Sequence, residues 1–173
     1  ERSRGLGDVY KRQVSAKQLE RPDFCRVVLE LLDKTEFPVR HLCLEITERC
    51  RSLPVSVINE RMAVLRGYGI KFAMDDFGTG SSSSAMALEM LIDEIKIDMS
   101  FIRKILVNKK NKAIVQSMVD FANAVNIKSC LEGVENKALE DYLRTVGATW
   151  FQGYYYSKPV GADELEILLS AKK

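Results

Sequence analysis

From Val14 onward, strand-like and helix-like apolar segments take turns along the chain, and the polar residues of the strand-like ones gather at one end only. His41–Thr47, Ile70–Asp75, Glu94–Asp98, Ile127–Leu131 and Thr149–Tyr154 read as strands. Their starts lie roughly 22 to 33 residues apart, the rhythm of parallel βα units. Between them, apolar residues at three-to-four-residue spacing predict helices over about Lys17–Lys34, from Pro54 to Gly67, Ala85–Met90, Lys112–Val125 and Lys137–Val146, with a last one over Ala162–Ser170. Buried parallel strands are almost continuously apolar. Here the exceptions fall where the strands finish: Glu45 and Glu48, Asp75 and Asp76, Lys96 and Asp98, Glu132 and Glu135, and Gln152. In a barrel of βα units those ends converge on one mouth, the usual place for an active site. In an open doubly wound sheet they would line one edge and converge less. The expected class is therefore α/β, the C-terminal part of a TIM-like barrel with about five βα units, since a complete barrel takes about 250 residues.

Composition narrows the function. Twenty-six Lys and Arg stand against 24 Asp and Glu in 173 residues, a net charge of +2. That balance is too even for a protein that coats DNA or RNA or lies on an anionic membrane. No apolar run is long enough to span a bilayer. Cys25, Cys43, Cys50 and Cys130 form no C-x-x-C pair and read as reduced thiols of a cytoplasmic domain. A lone histidine, His41, excludes His-rich metal sites and disfavours a Ser-His-Asp triad.

Residues 1–13 stand apart. They show neither periodicity nor the apolar centre of a signal peptide. Asp8–Gln13 back-translates as GATGTGTATAAGAGACAG, which resembles the transposon-end adapter of sequencing-library preparation. The expectation is an adapter or cloning scar over 1–13, fused to a truncated gene, with the domain proper over 14–173.

Several carboxylates aimed into one cavity repel one another, so some take up protons or a cation neutralises the group. The donors are oxygen only, which selects Mg²⁺, Mn²⁺ or Ca²⁺ over Zn²⁺. Adjacent Asp75 and Asp76 leave a strand end in different directions and can serve two ions, as a two-metal phosphoryl hydrolysis requires. Lys96 can orient a water or a phosphate oxygen, and it shares a strand face with Asp98, a candidate partner. The loop after Asp76 carries Gly78, Thr79 and Gly80, with glycines for close backbone approach. The competing explanation is a salt-bridged rim that serves solubility; recurrence at strand after strand argues against it. Asn111 reads as a helix cap, and Tyr154–Tyr156 as aromatics that pack on neighbouring elements.

These motifs, in this order, resemble the EAL family of bacterial phosphodiesterases that hydrolyse cyclic di-GMP. The resemblance runs from Val14 to about Val160. It is carried by Leu44-Glu45-Ile46-Thr47-Glu48, Met74-Asp75-Asp76-Phe77-Gly78-Thr79-Gly80, Ile95-Lys96-Ile97-Asp98, Leu131-Glu132-Gly133-Val134-Glu135 and Phe151-Gln152-Gly153-Tyr154. It implies a modified (β/α)₈ barrel whose first strand is antiparallel. It also implies that two ions, Mg²⁺ or Mn²⁺, sit at the mouth. Glu45 would ligate the first, Asp75 would bridge both and Asp76 would ligate the second. Glu132 would be a ligand or the general base, and Lys96 would hold the nucleophilic water or a phosphate oxygen. Glu48 would anchor the loop from Asp76 to Ser84, which couples metal binding to homodimerisation. Asp98, Glu135 and Gln152 would support substrate and water.

Three departures accompany the resemblance. The glutamate of the name-giving motif lies upstream of the residues present. The metal-binding Asn falls at Gln13. Ser81 stands where the family commonly has an aromatic. The expectation is a phosphodiesterase in the parent protein, with sensory or GGDEF domains upstream and any membrane anchor there too, and a 173-residue polypeptide that does not turn over. The alternatives are a degenerate EAL module that binds cyclic di-GMP or a protein partner without hydrolysis and, more remotely, an enolase-type lyase barrel.

Overall fold

The computed structural model describes residues 10–47, 54–80, 83–161, 164, 165, 167 and 168. Six strands form one parallel sheet in sequence order: β1 (Tyr10–Val14), β2 (Leu42–Thr47), β3 (Lys71–Phe77), β4 (Glu94–Ile97), β5 (Lys128–Glu132) and β6 (Trp150–Gln152). Between them run α1 (Ala16–Glu20), α2 (Phe24–Thr35), α3 (Val55–Gly67), α4 (Ser83–Glu89), α5 (Met99–Ile102), α6 (Lys109–Ala124) and α7 (Lys137–Arg144). Every crossover joins immediate neighbours. Crossovers of one hand then put all helices on one face, as in a barrel wall, whereas a doubly wound sheet reverses its strand order. Among the described residues β1 and β6 are the two edges. The antiparallel strand implied by the resemblance is not among them.

The helix-facing side of the sheet supplies most of the core. Leu44 and Ile46, Phe72 and Met74, Ile95 and Ile97, Leu131 and Phe151 are buried against Ile58, Met62 and Leu65 of α3, Val115 and Val119 of α6, and Leu139 and Leu143 of α7. Each fully buried side chain of this kind contributes about 1.5–3 kcal/mol, so the strands are held as a group.

Three sequence expectations are corrected. The first predicted helix, 17–34, is two helices, because Arg21-Pro22-Asp23 lies inside it and Pro22 has no N–H to continue the ladder. The cap of α6 is Asn108, whose side chain accepts from the N–H groups of Lys110 and Asn111; Asn111 lies within the helix and its Nδ2 donates to the carbonyl of Phe101. The sheet has six strands where five were expected, since residues 10–13, set aside in the sequence, complete β1 with Val14. They pair in register from Tyr10↔Leu42 to Val14↔Ile46. Ladder pairing uses backbone groups and is indifferent to the polar side chains that hid the strand. The final predicted helix, 162–170, falls largely outside the described residues.

Candidate active site

Strand register puts the polar residues on one face. Neighbours in a parallel ladder share a face, as do residues two apart on a strand. Gln13 pairs with Glu45, Glu45 with Ala73, Ala73 with Glu94, Lys96 with Cys130, and Glu132 with Gln152. Ala73 and Asp75, Glu94 and Lys96, and Cys130 and Glu132 are each two apart. Gln13, Glu45, Asp75, Lys96, Glu132 and Gln152 therefore share the face opposite Leu44, Phe72 and Ile95, near the C-terminal ends of six consecutive strands.

Lys96 Nζ is the hub. It lies 2.7 Å from Glu132 Oε1, 2.8 Å from Asp75 Oδ1 and 3.2 Å from Glu45 Oε1. The side chains of Lys96, Glu45 and Asp75 are 6–7% exposed and that of Glu132 is 16% exposed. Gln13 Nε2 donates to the second oxygen of Asp75 at 2.9 Å. Water contributes little here, so the charges set one another's state. Burial opposes the ammonium of Lys96, but Glu132, Asp75 and Glu45 outweigh it and hold the lysine well above its ordinary range. Burial also opposes ionisation of Asp75; the donors Lys96 and Gln13 overcome it and hold that carboxyl below the usual range. For Glu132, burial prevails over Lys96, with Asp75 and Glu45 adding repulsion, and its pKa is raised. Glu132 is thus more ready than Asp75 to accept a proton.

The Asp75–Asp76 pair sits on a β-bulge. Met74 pairs with Ile95 and Phe77 with Ile97, so two residues of β3 face the single Lys96 of β4. Asp76 takes the strain, with φ at 56°, in the left-handed region that Asp tolerates better than most residues. The result is one buried and one exposed aspartate, side by side. The loop then turns at once: the backbone N–H and Oγ1 of Thr79 donate to the carbonyl of Asp76 at 3.2 and 2.9 Å. Gly78 has φ at 93°, and a Cβ there would collide with Met118 Cε. Gly80 is exposed.

The remaining expected residues separate. Asp98 caps α5 and accepts from the Ser100 N–H at 2.8 Å; Lys96 pairs instead with carboxylates of β2, β3 and β5. Glu135 is exposed beyond β5, and Gln152 is exposed opposite Glu132. Glu48 and Ser81 lie outside the described residues. Tyr156 packs on α7, its hydroxyl donating to Glu140 Oε1 at 3.2 Å. Gln13 is the contributor that strand reading missed; its donation to Asp75 depends on a strand with no apolar pattern.

Among the described residues no three acidic, His or Cys side chains form a metal cage by themselves; an ammonium stands where the carboxylates meet. The donors nevertheless suit a hard divalent ion. They are carboxylate oxygens, and three ionised carboxylates against one ammonium leave the cluster at a formal charge of −2.

A parallel barrel-type α/β domain with an acidic, lysine-centred cluster at its strand ends is the class that fold and site define. A family model described as EAL domain matches residues 10–159, and the chain belongs to that family. It is 36% identical over 163 residues to the probable cyclic di-GMP phosphodiesterase PdeG of Escherichia coli, covering 92% of this chain and 32% of that protein. The solved EAL domain of Mycobacterium smegmatis DcpA superposes with a TM-score of 0.90 at 30% identity, over 94% of this chain and 73% of that one. The EAL enzyme Bd1971, solved with cAMP and cyclic di-GMP bound, gives 0.86 at 33% identity, over 95% and 43%. Klebsiella pneumoniae BlrP1, solved with manganese and cyclic di-GMP, gives 0.77 at 27% identity, over 86% and 38%. The chain spans about a fifth to a third of the length of the first curated relatives it matches.

Proposed function

We propose that this site, in the complete protein, hydrolyses one phosphodiester of cyclic di-GMP to give the linear dinucleotide. The observation that carries the reading is the convergence of Glu45, Asp75 and Glu132 on Lys96 at the strand ends. Solved relatives with cyclic di-GMP, one of them with manganese, support the substrate and the metal class. Glu45, Asp75 and Asp76, with Glu132 if it is not the proton acceptor, would hold two divalent ions, Mg²⁺ or Mn²⁺, which would supply charge to stabilise the attacking and leaving oxygens.

The chain's own residues do the rest. Lys96, a buried cation, orients the attacking water or a phosphate oxygen. Glu132, 2.7 Å from Lys96 Nζ, takes the proton that the water loses as its oxygen bonds to phosphorus. The phosphorus bond to the bridging sugar oxygen breaks, and that oxygen gains a proton from solvent. Gln152, paired with Glu132 across β5 and β6, contacts substrate, and Asp98 and Glu135 support substrate and water from the ends of β4 and β5. The Gly78-Thr79-Gly80 turn, tied to the Asp76 carbonyl, fixes the bulge. By the resemblance, Glu48 would anchor that loop, through which a homodimer contact would reach the metal site. Among the described residues no helix is long and apolar enough to cross a membrane. The proposal places the domain in the cytoplasm, a reducing compartment that keeps cysteine as the thiol.

The polypeptide of 173 residues is a poor catalyst in this proposal, because Gln13 stands where the resemblance calls for a metal-binding Asn and donates to Asp75. The same observation favours a second reading, a module that binds cyclic di-GMP without cleaving it. Chromatography after incubation with cyclic di-GMP and Mg²⁺ or Mn²⁺ separates them. Linear product from the protein of the complete reading frame, and none from residues 1–173, is expected. Binding without product from the complete protein selects the second reading, and neither binding nor product removes both.

A further inference from the structure

We infer that Gln13 acts as a latch that competes with divalent ions for Asp75, an inference that rests on the metal-site reading above. A carboxylate only accepts, so the end of the Gln13 amide that faces Asp75 is its NH₂ group, 2.9 Å from Oδ2. Lys96 Nζ occupies Oδ1 at 2.8 Å. Each oxygen of the central carboxylate is therefore engaged by a donor of this chain, one on either flank. Lys96 belongs to the buried cluster and is held by two further carboxylates. Gln13 is exposed, on a strand that is an edge among the described residues, and its side chain donates to Asp75 alone among them. A cation that binds Asp75 has to displace a donor from one of its two oxygens, and the NH₂ group of Gln13, a donor, cannot ligate it. Gln13 must first turn away or rotate to present its carbonyl. Asparagine at this position is shorter by one methylene, so its amide reaches less far toward Oδ2 from the same strand backbone.

The test is Mn²⁺ binding to residues 1–173, read from the electron paramagnetic resonance of the free ion, for the unaltered chain, Gln13→Ala and Gln13→Asn. Gln13 is exposed, so both variants keep the core, which amide spectra check. Gln13→Ala is expected to bind Mn²⁺ about fivefold tighter, the weight of one hydrogen bond lost from the free state, and Gln13→Asn at least as tightly. Equal or weaker binding by Gln13→Ala overturns the latch while leaving the metal site in place. Mn²⁺ binding by none of the three overturns the metal-site reading and the latch with it. In a second measurement, Mg²⁺ should shift the Gln13 side-chain NH₂ resonances with the same midpoint as the backbone amides of Asp75 and Asp76. NH₂ resonances that stay fixed while those amides move also overturn the latch.

Discussion

Replacing Lys96 with methionine removes the cation that three carboxylates share and keeps the volume of the side chain. Three contacts of 2.7–3.2 Å disappear at once. Two routes to the cost agree. Truncating one partner of a buried ion network costs about 3–5 kcal/mol. Alternatively, the cluster escapes repulsion by protonating one glutamate, which at pH 7 costs about 3.7 kcal/mol, from roughly 2.7 pH units at 1.36 kcal/mol each. A loss of about 3–5 kcal/mol lowers Tm by about 6–20 °C in a chain of this size. Urea unfolding followed by far-ultraviolet circular dichroism, with chelator present, measures it. Carboxylates protonate as pH falls, so the gap between Lys96→Met and the unaltered protein should narrow from pH 7 to pH 4. Millimolar Mg²⁺ should restore part of the stability at pH 7, because it replaces the lost charge. A loss below about 1 kcal/mol at pH 7, or one that does not change down to pH 4, would refute the charge-hub argument.

Other outcomes follow from the same geometry. Asp76→Ala should cost about 1 kcal/mol through its left-handed φ, whereas Asp76→Asn should stay within about 0.5 kcal/mol; equal thermal melts for the two would contradict the strain. Gly153→Ala should cost at least about 2 kcal/mol, because a Cβ there collides with the backbone N and O of Val134, which bridges Gln152 and Tyr155; a change within 0.5 kcal/mol, on the usual scale of surface substitutions, would show that this seam can shift. Burial and the adjacent Glu140 push the Tyr156 hydroxyl up to about 12. A group raised on folding stabilises fully below its unfolded value of about 10 and loses that contribution as pH rises toward 12. The urea midpoint of the unaltered protein should therefore fall relative to Tyr156→Phe between pH 9 and pH 11.5, and parallel curves would disprove the coupling.

Much of this was legible because parallel strands advertise themselves. Leu44, Ile46, Phe72, Met74, Ile95 and Ile97 are apolar because helices cover them, and the interruptions at Glu45, Asp75 and Lys96 mark the ends that meet. Strand position alone does not say who pairs with whom. Lys96 and Asp98 share a face in sequence, but β4 stops at Ile97, so Asp98 turns to cap α5. The bulge at Asp75 and Asp76 is likewise a matter of register between β3 and β4, which residue types alone do not encode. β1 was hidden because Tyr10-Lys11-Arg12-Gln13 has no apolar pattern; its fold is dictated by the ladder on β2. Gln13 was marked only through the resemblance, as the position of a metal-binding Asn, and not by any strand pattern. The break at Pro22, by contrast, was present in the sequence as a plain helix-stop signal.

The central claim is that carboxylates from β2, β3 and β5 form one divalent-ion site. Substoichiometric Mn²⁺ added to ¹⁵N-labelled protein tests it most directly, since the ion broadens the amides nearest to it. Ile46, Asp76 and Gly133, each next to a cluster carboxylate, should broaden first, and Asp75→Asn should abolish the effect. Broadening centred on Asp23 and Glu30 or on Glu140 and Asp141, or unchanged by Asp75→Asn, would contradict the account.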